Sequence, residues 1–163
     1  ECLADAKITV PTQTRPTAPL QEVLELMGTA AHLRVFSHAF NEKSIAVVAE
    51  EVQRGAQTFE GVLSASAVTA IAENNTLWER LQTLAAAEDA NLRVRTDGVP
   101  LAATIADKTV ILLLRDKHGV VQASLESQDD NVYQWAVETH EHYRRTAVPF
   151  DSGQFSDSVA SSP

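Results

Sequence analysis

The stretch from Gly98 to Phe150 constrains the fold of this chain more than any other. Val110–Leu114 is an unbroken apolar run, which suits a strand covered on both faces, and Pro100–Ile105 leads into it through Asp107-Lys108. The turn Asp116-Lys117-His118-Gly119 follows, with Gly119 able to supply the positive φ that a hairpin loop often requires. Val121, Ala123 and Leu125 then alternate with Gln122, Ser124 and Glu126, the two-residue period of a half-buried strand. This pattern predicts a β-hairpin.

A helix is predicted directly after it. Ser127-Gln128-Asp129-Asp130 offers capping oxygens and negative charge at the positive end of a helix dipole. Val132, Trp135, Ala136, Thr139 and Tyr143 recur at three- and four-residue steps, leaving Glu138, Glu141 and Arg145 on the wet face. Arg144 and Arg145 complement the carboxyl end, Pro149 closes the helix, and Phe150 is expected to fold back onto the apolar stripe. Trp78 and Trp135 are expected to anchor the core.

Upstream, strand and helix patterns alternate. Ile8–Val10 reads as a short strand and Pro11–Pro19 as a loop; Leu20, Val23, Leu24 and Met27 form a helical stripe ending at Gly28. Leu33, Val35 and Phe36 make a strand, Ser37–Asn41 a turn, and Ile45, Val48, Ala49 and Val52 a helix stopped by Gly55. Thr58–Leu63 is a strand, Ala65–Glu73 and Leu77–Ala87 are helices, and Leu92, Val94 and Thr96 mark a further strand. The expected fold is α/β: a mixed sheet, parallel in its N-terminal part with flanking helices, then a C-terminal β-hairpin and a terminal helix. One domain is expected over residues 1–150, with a disordered serine-rich tail over 151–163.

Net charge of −9 argues against a nucleic-acid surface on the chain itself, because phosphate contact needs clustered Lys and Arg. Only Arg93/Arg95 and Arg144-Arg145 form basic pairs. The acidity, with nine arginines to four lysines, leans towards an acid-surfaced, halophilic proteome. No apolar run approaches the ~20 residues of a membrane span, no signal-peptide pattern is present, and the lone Cys2 fits a reducing compartment, so cytoplasmic residence is expected. A start at Glu1, with Met27 the sole methionine, reads as a fragment or processed product.

No catalytic motif emerges. His140 and His142, two apart on a helix, point away from each other, and no two histidines stand three or four apart, so no metal is expected. Scattered glycines give no phosphate loop, and no cofactor is expected. His38 is the more informative histidine. It follows a strand at what should be the carboxyl edge of the sheet, where ligand crevices form in open α/β sheets. Ser37 beside it, Ser64 after the next strand and Asp97 after the third should end on the same edge. Ser37, His38, Ser64 and Asp97 are therefore the candidate ligand-binding residues, although each is also a residue type that caps and turns chains. A small or degenerate α/β hydrolase would use the same set, but neither serine sits in a G-x-S-x-G elbow and Ser37 and His38 are adjacent. Catalytic residues are expected to be none.

Four blocks carry a family resemblance: Asp5–Thr12, Ala18–Leu26, the hairpin region Val99–Leu125, and Gln134–Thr139 followed by Tyr143-Arg144-Arg145. In order and spacing they resemble the effector, or middle, domain of archaeal, notably haloarchaeal, winged-helix transcriptional regulators of the FilR methanogenesis type. The resemblance covers about residues 5–150. It implies a sensing and dimerising domain, with DNA contacted only through an upstream winged helix outside this chain, an unidentified small-molecule effector, a homodimer and no membrane. The alternative to an effector domain or an enzyme is a dimerisation module without a ligand.

Overall fold

A computed structural model describes residues 6–151 and 153. Cys2 and nearly all of the serine-rich tail lie outside the described residues. The elements run β1 (Lys7–Thr9), α1 (Ala18–Thr29), β2 (His32–Ser37), α2 (Glu42–Gln53), β3 (Thr58–Ser64), α3 (Ala65–Ala72), α4 (Asn75–Ala86), β4 (Ala90–Arg95), β5 (Ala102–Ala106), β6 (Thr109–Arg115), β7 (Val121–Ser127), α5 (Asp130–Arg145) and β8 (Val148–Pro149). One sheet holds all the strands in the order β1-β7-β6-β5-β2-β3-β4-β8. Strands β2, β3 and β4 are mutually parallel, whereas β5, β6 and β7 form an antiparallel meander joined to β2. The expected mixed α/β sheet is the one observed.

The two-residue period of the strands sorts their side chains between two helical layers. Leu33, Val35, Phe59, Leu63, Leu92, Val94, Ile111 and Leu113 pack with residues of α1–α4. Phe36, Val62, Ala103, Ile105 and Val110 pack with Val132 and Ala136 of α5 on the other face. Local chemistry starts each helix after α1: Asn41, Ser64, Asn74 and Asp129 accept backbone N–H bonds in the first turns of α2, α3, α4 and α5. The helix after the hairpin begins at the acidic cap as predicted. Gly119, at φ 82°, provides the left-handed residue of the β6–β7 turn.

Three expectations need correction. The run Val110–Leu114 is not covered on both faces, because Leu114 emerges beyond the reach of α5 and is 45% exposed. Ala102–Ala106 is the fully buried strand instead, lying at the sheet centre between β2 and β6. Trp135 is 43% exposed, and the inward stripe of α5 is Val132, Ala136 and His140. Phe150 does not return to α5. The chain after that helix pairs as β8 with β4, and Phe150 lands on the opposite layer, edge-on to Trp78 with ring centroids 5.6 Å apart.

Candidate functional site

The parallel strands β2 and β3 end at Ser37 and Ser64, and α2, α3 and α4 begin on the same side of the sheet. A cleft of about 370 Å³ opens there on the α1–α4 layer. Leu20 comes from the first turn of α1, His38 to Asn41 from the loop after β2, Ser66, Ala67, Ala70 and Ile71 from α3, and Leu77 from the first turn of α4. Arg115 and Val121, Cα partners across the β6–β7 ladder, close the opposite wall. The ladder is irregular between Leu114 and Arg115, a bulge of the kind that re-aims a side chain at the rim of a sheet. A smaller cavity of about 30 Å³ adjoins the cleft and shares Leu20, Ala39, Phe40, Asn41 and Arg115 with it.

The candidate residues fare differently. His38 lines the cleft, and its buried Nδ1 has no hydrogen-bond partner within the protein. Ser37 is buried and faces the small cavity; its hydroxyl accepts the Ala39 amide at 3.0 Å and donates to the Ala39 carbonyl, which holds the loop in a tight turn. Ser64 is also buried, accepting the Ala67 amide at 3.2 Å as the α3 cap and lying 3.0 Å from the Ser66 hydroxyl. Asp97 occupies the exposed turn after β4, away from the side chains that line the cleft. The four residues thus share an edge of the sheet but not one pocket.

Arg115, Ser66 and Asn41 are the polar cleft residues absent from the sequence-derived candidates. Arg115 donates from Nη1 to the Gly119 carbonyl at 3.0 Å, while its buried Nε has no partner within the protein. Among the described residues it has no carboxylate within ion-pairing distance, and burial pushes its guanidinium pKa down. The neighbouring Asp116 is turned away: its Oδ1 accepts the His118 and Val120 amides, and its Oδ2 accepts from Gln122. An arginine beside an aspartate reads in sequence as a local pair, so nothing in the residue order marks it.

The remaining unusual groups have structural roles. His140 is buried against Phe36, and its Nε2–H donates to the Glu60 carbonyl at 3.2 Å. Arg95 lies over the Tyr143 ring at 4.9 Å and donates to Thr146 and to the Gly98 carbonyl, while Arg144 pairs with Glu141 on α5. Among the described residues, no group of three or more His, Cys, Asp or Glu is placed to hold a metal, and no helix is long and apolar enough to cross a membrane.

Comparison with known proteins gives one family. The model of the family described as "Methanogenesis regulatory protein FilR1, middle domain" matches residues 16–146. No curated protein matches. Among solved structures, TrmBL2, an archaeal chromatin protein described as showing a novel mode of DNA binding, superposes with a TM-score of 0.65 at 15% identity over 89% of this chain. The matched part is 54% of TrmBL2, so this chain spans about half of that protein. NucT from Helicobacter pylori aligns with a TM-score of 0.67 at 14% identity, over 90% of this chain and 99% of its own. Nuc from Salmonella typhimurium, a phospholipase D family member, gives 0.68 at 14% identity over the same shares. At these identities the three structures speak to the fold alone.

Proposed function

The chain belongs to the FilR1 middle-domain family, the middle part of a regulatory protein, and from that premise we propose that it is the effector-receiving and dimerising domain of a winged-helix transcriptional regulator. The observation that carries this reading is the cleft at the carboxyl edge, bordered by His38, whose buried Nδ1 is unpartnered. A polar atom withdrawn from water without a partner is unfavourable unless something binds it, and carboxyl edges are where open α/β sheets hold ligands. An effector there touches the first turns of α1, α3 and α4 and the β6–β7 hairpin at once. Occupancy therefore favours one arrangement of these elements, and only such differential affinity transmits a signal. DNA is contacted by the winged helix elsewhere in the regulator, in the cytoplasm.

The domain acts by binding and not by turnover. This part of the reading is supported by the hydroxyls of Ser37 and Ser64, which are engaged locally, and by the exposed position of Asp97. Dimerisation is supported by the α5 layer. Leu114 and, through the pairing of Ile8 with Leu125 and of Leu125 with Leu112, Ile8 face the α5 side of the sheet, where Trp135 is also exposed.

The test is a thermal-shift screen of the whole regulator against neutral, cationic and anionic metabolites, followed by operator binding with each hit. A ligand selective for the native state raises the unfolding midpoint, and an effector also changes operator affinity. A regulator whose midpoint and operator affinity respond to no compound would sink the effector reading.

A further inference from the structure

The cleft has a chemistry of its own within a strongly acidic protein. The chain carries 22 Asp and Glu against 13 Lys and Arg, yet no carboxylate lines the cleft. Its polar side chains are His38, Asn41, Ser66 and Arg115. Two of these carry buried nitrogen atoms without partners, Nδ1 of His38 and Nε of Arg115, and the second belongs to a guanidinium that no acidic group neutralises among the described residues. A half-buried arginine without a carboxylate partner is stabilised when a planar anion supplies further acceptors. The first turns of α3 and α4 approach the same space and add partial positive charge.

We propose that the cleft binds a small organic carboxylate, its charged end accepting hydrogen bonds from Arg115 and, in the Nδ1–H form of the ring, from His38, and its apolar body lying against Leu20, Ile71, Leu77 and Val121. The carboxylate end is specified by donors without a competing acid. The volume of about 370 Å³ and the aliphatic walls specify a compact, mostly hydrocarbon remainder. This deepens the effector reading and rests on it, because it names the class of ligand received at the same site.

The experiment uses hexanoate and benzoate as anionic probes, hexanol and hexanamide as neutral ones and hexylamine as the cationic one, titrated by calorimetry into the whole regulator and into its Arg115→Gln and Ala70→Trp variants. The first variant removes the charge. The second fills the cleft from an exposed helix position and keeps the arginine at 115. Circular dichroism confirms that each variant folds. Expected is binding of the carboxylates alone, weakened about tenfold to a hundredfold by Arg115→Gln and abolished by Ala70→Trp. Neutral or cationic probes binding as well as carboxylates, carboxylate binding undiminished in folded Arg115→Gln, or carboxylate binding that survives in folded Ala70→Trp, overturns the carboxylate assignment. A response in the metabolite screen confined to uncharged or cationic compounds does the same while leaving the effector reading intact, whereas silence in both experiments removes both.

Discussion

The Asp107 carboxylate accepts the backbone amide of His32 at 2.9 Å, tying the tight turn between β5 and β6 to the start of β2. The same carboxylate receives the Ala31 amide at 3.2 Å, and the Asp107 amide donates to the His32 carbonyl at 2.9 Å. Asp107 is also the one described non-glycine residue at positive φ, 53°. These contacts join the parallel and antiparallel halves of the sheet beside the β2–β5 ladder.

Replacing Asp107 therefore separates two effects. Asp107→Ala loses the amide acceptor, worth about 1 kcal/mol, and places a Cβ residue without a local hydrogen bond in the left-handed region, about 1–2 kcal/mol more. Asp107→Gly loses only the first, and Asp107→Asn keeps an acceptor and tolerates the backbone. Urea unfolding should rank the losses Asn, Gly, Ala in increasing order; an alanine variant as stable as the parent would show that the turn is held by the ladder alone.

Gly61 tests the central sheet. A Cβ built there lies 2.5 Å from Cζ of Phe59 and 3.2 Å from Cδ1 of Leu92, inside a close-packed layer. Gly61→Ala should destabilise by about 1–3 kcal/mol through overpacking. A second variant, Gly61→Ala with Phe59→Leu, should recover part of that loss if the ring is the obstacle, and denaturant midpoints would show it.

His140 gives the fold an acid limit. Burial pushes its pKa below the ordinary 6.5, the Glu60 carbonyl opposing only in part. In the unfolded chain the ring takes up a proton as pH falls through about 6.5, whereas the folded ring stays neutral, so the unfolded state binds more protons and stability drops. The contribution is complete above about pH 6.5 and is lost progressively below it until the folded ring itself titrates. Comparing urea midpoints at about pH 7.5 and about pH 5, the parent should lose more stability than His140→Gln. Equal losses in the two proteins would mean that carboxylates, not His140, set the acid limit.

What the sequence makes legible follows from how local each cause is. The hairpin turn at Gly119, the cap at Asp129 and the alternation in β7 are properties of a few neighbouring residues, and they predict the elements they form. The edge that carries His38 is likewise legible, because parallel strands followed by helices put their loops on one side. Arg115 is not. Its meaning depends on Asp116 being drawn into its own turn and, above all, on residues of α3 and α4, dozens of positions away, lining the same cleft. Trp135 misleads for the converse reason: it has helical spacing, but α5 is centred on Ala136 and His140, and the rotation of a helix about its axis is decided by the sheet beneath it.

The exposed apolar residues lead to the last prediction. Ile8, Leu114 and Trp135 are 64%, 45% and 43% exposed and belong to the α5 side of the sheet, while Val148, at 50%, sits on the opposite edge strand. If the dimer proposed for the regulator forms through the α5 layer, burying each of the first three side chains contributes about 1.5–3 kcal/mol at most. Serine at Leu114 and Trp135 together should then weaken self-association by about tenfold or more, with the monomer fold retained in circular dichroism, and Val148→Ser should leave it unchanged. Sedimentation equilibrium reads both. Weakening by Val148→Ser with no effect of the double variant would move the interface to the β4–β8 edge, because an edge strand offers unpaired backbone groups to a partner where the α5 layer offers only side chains.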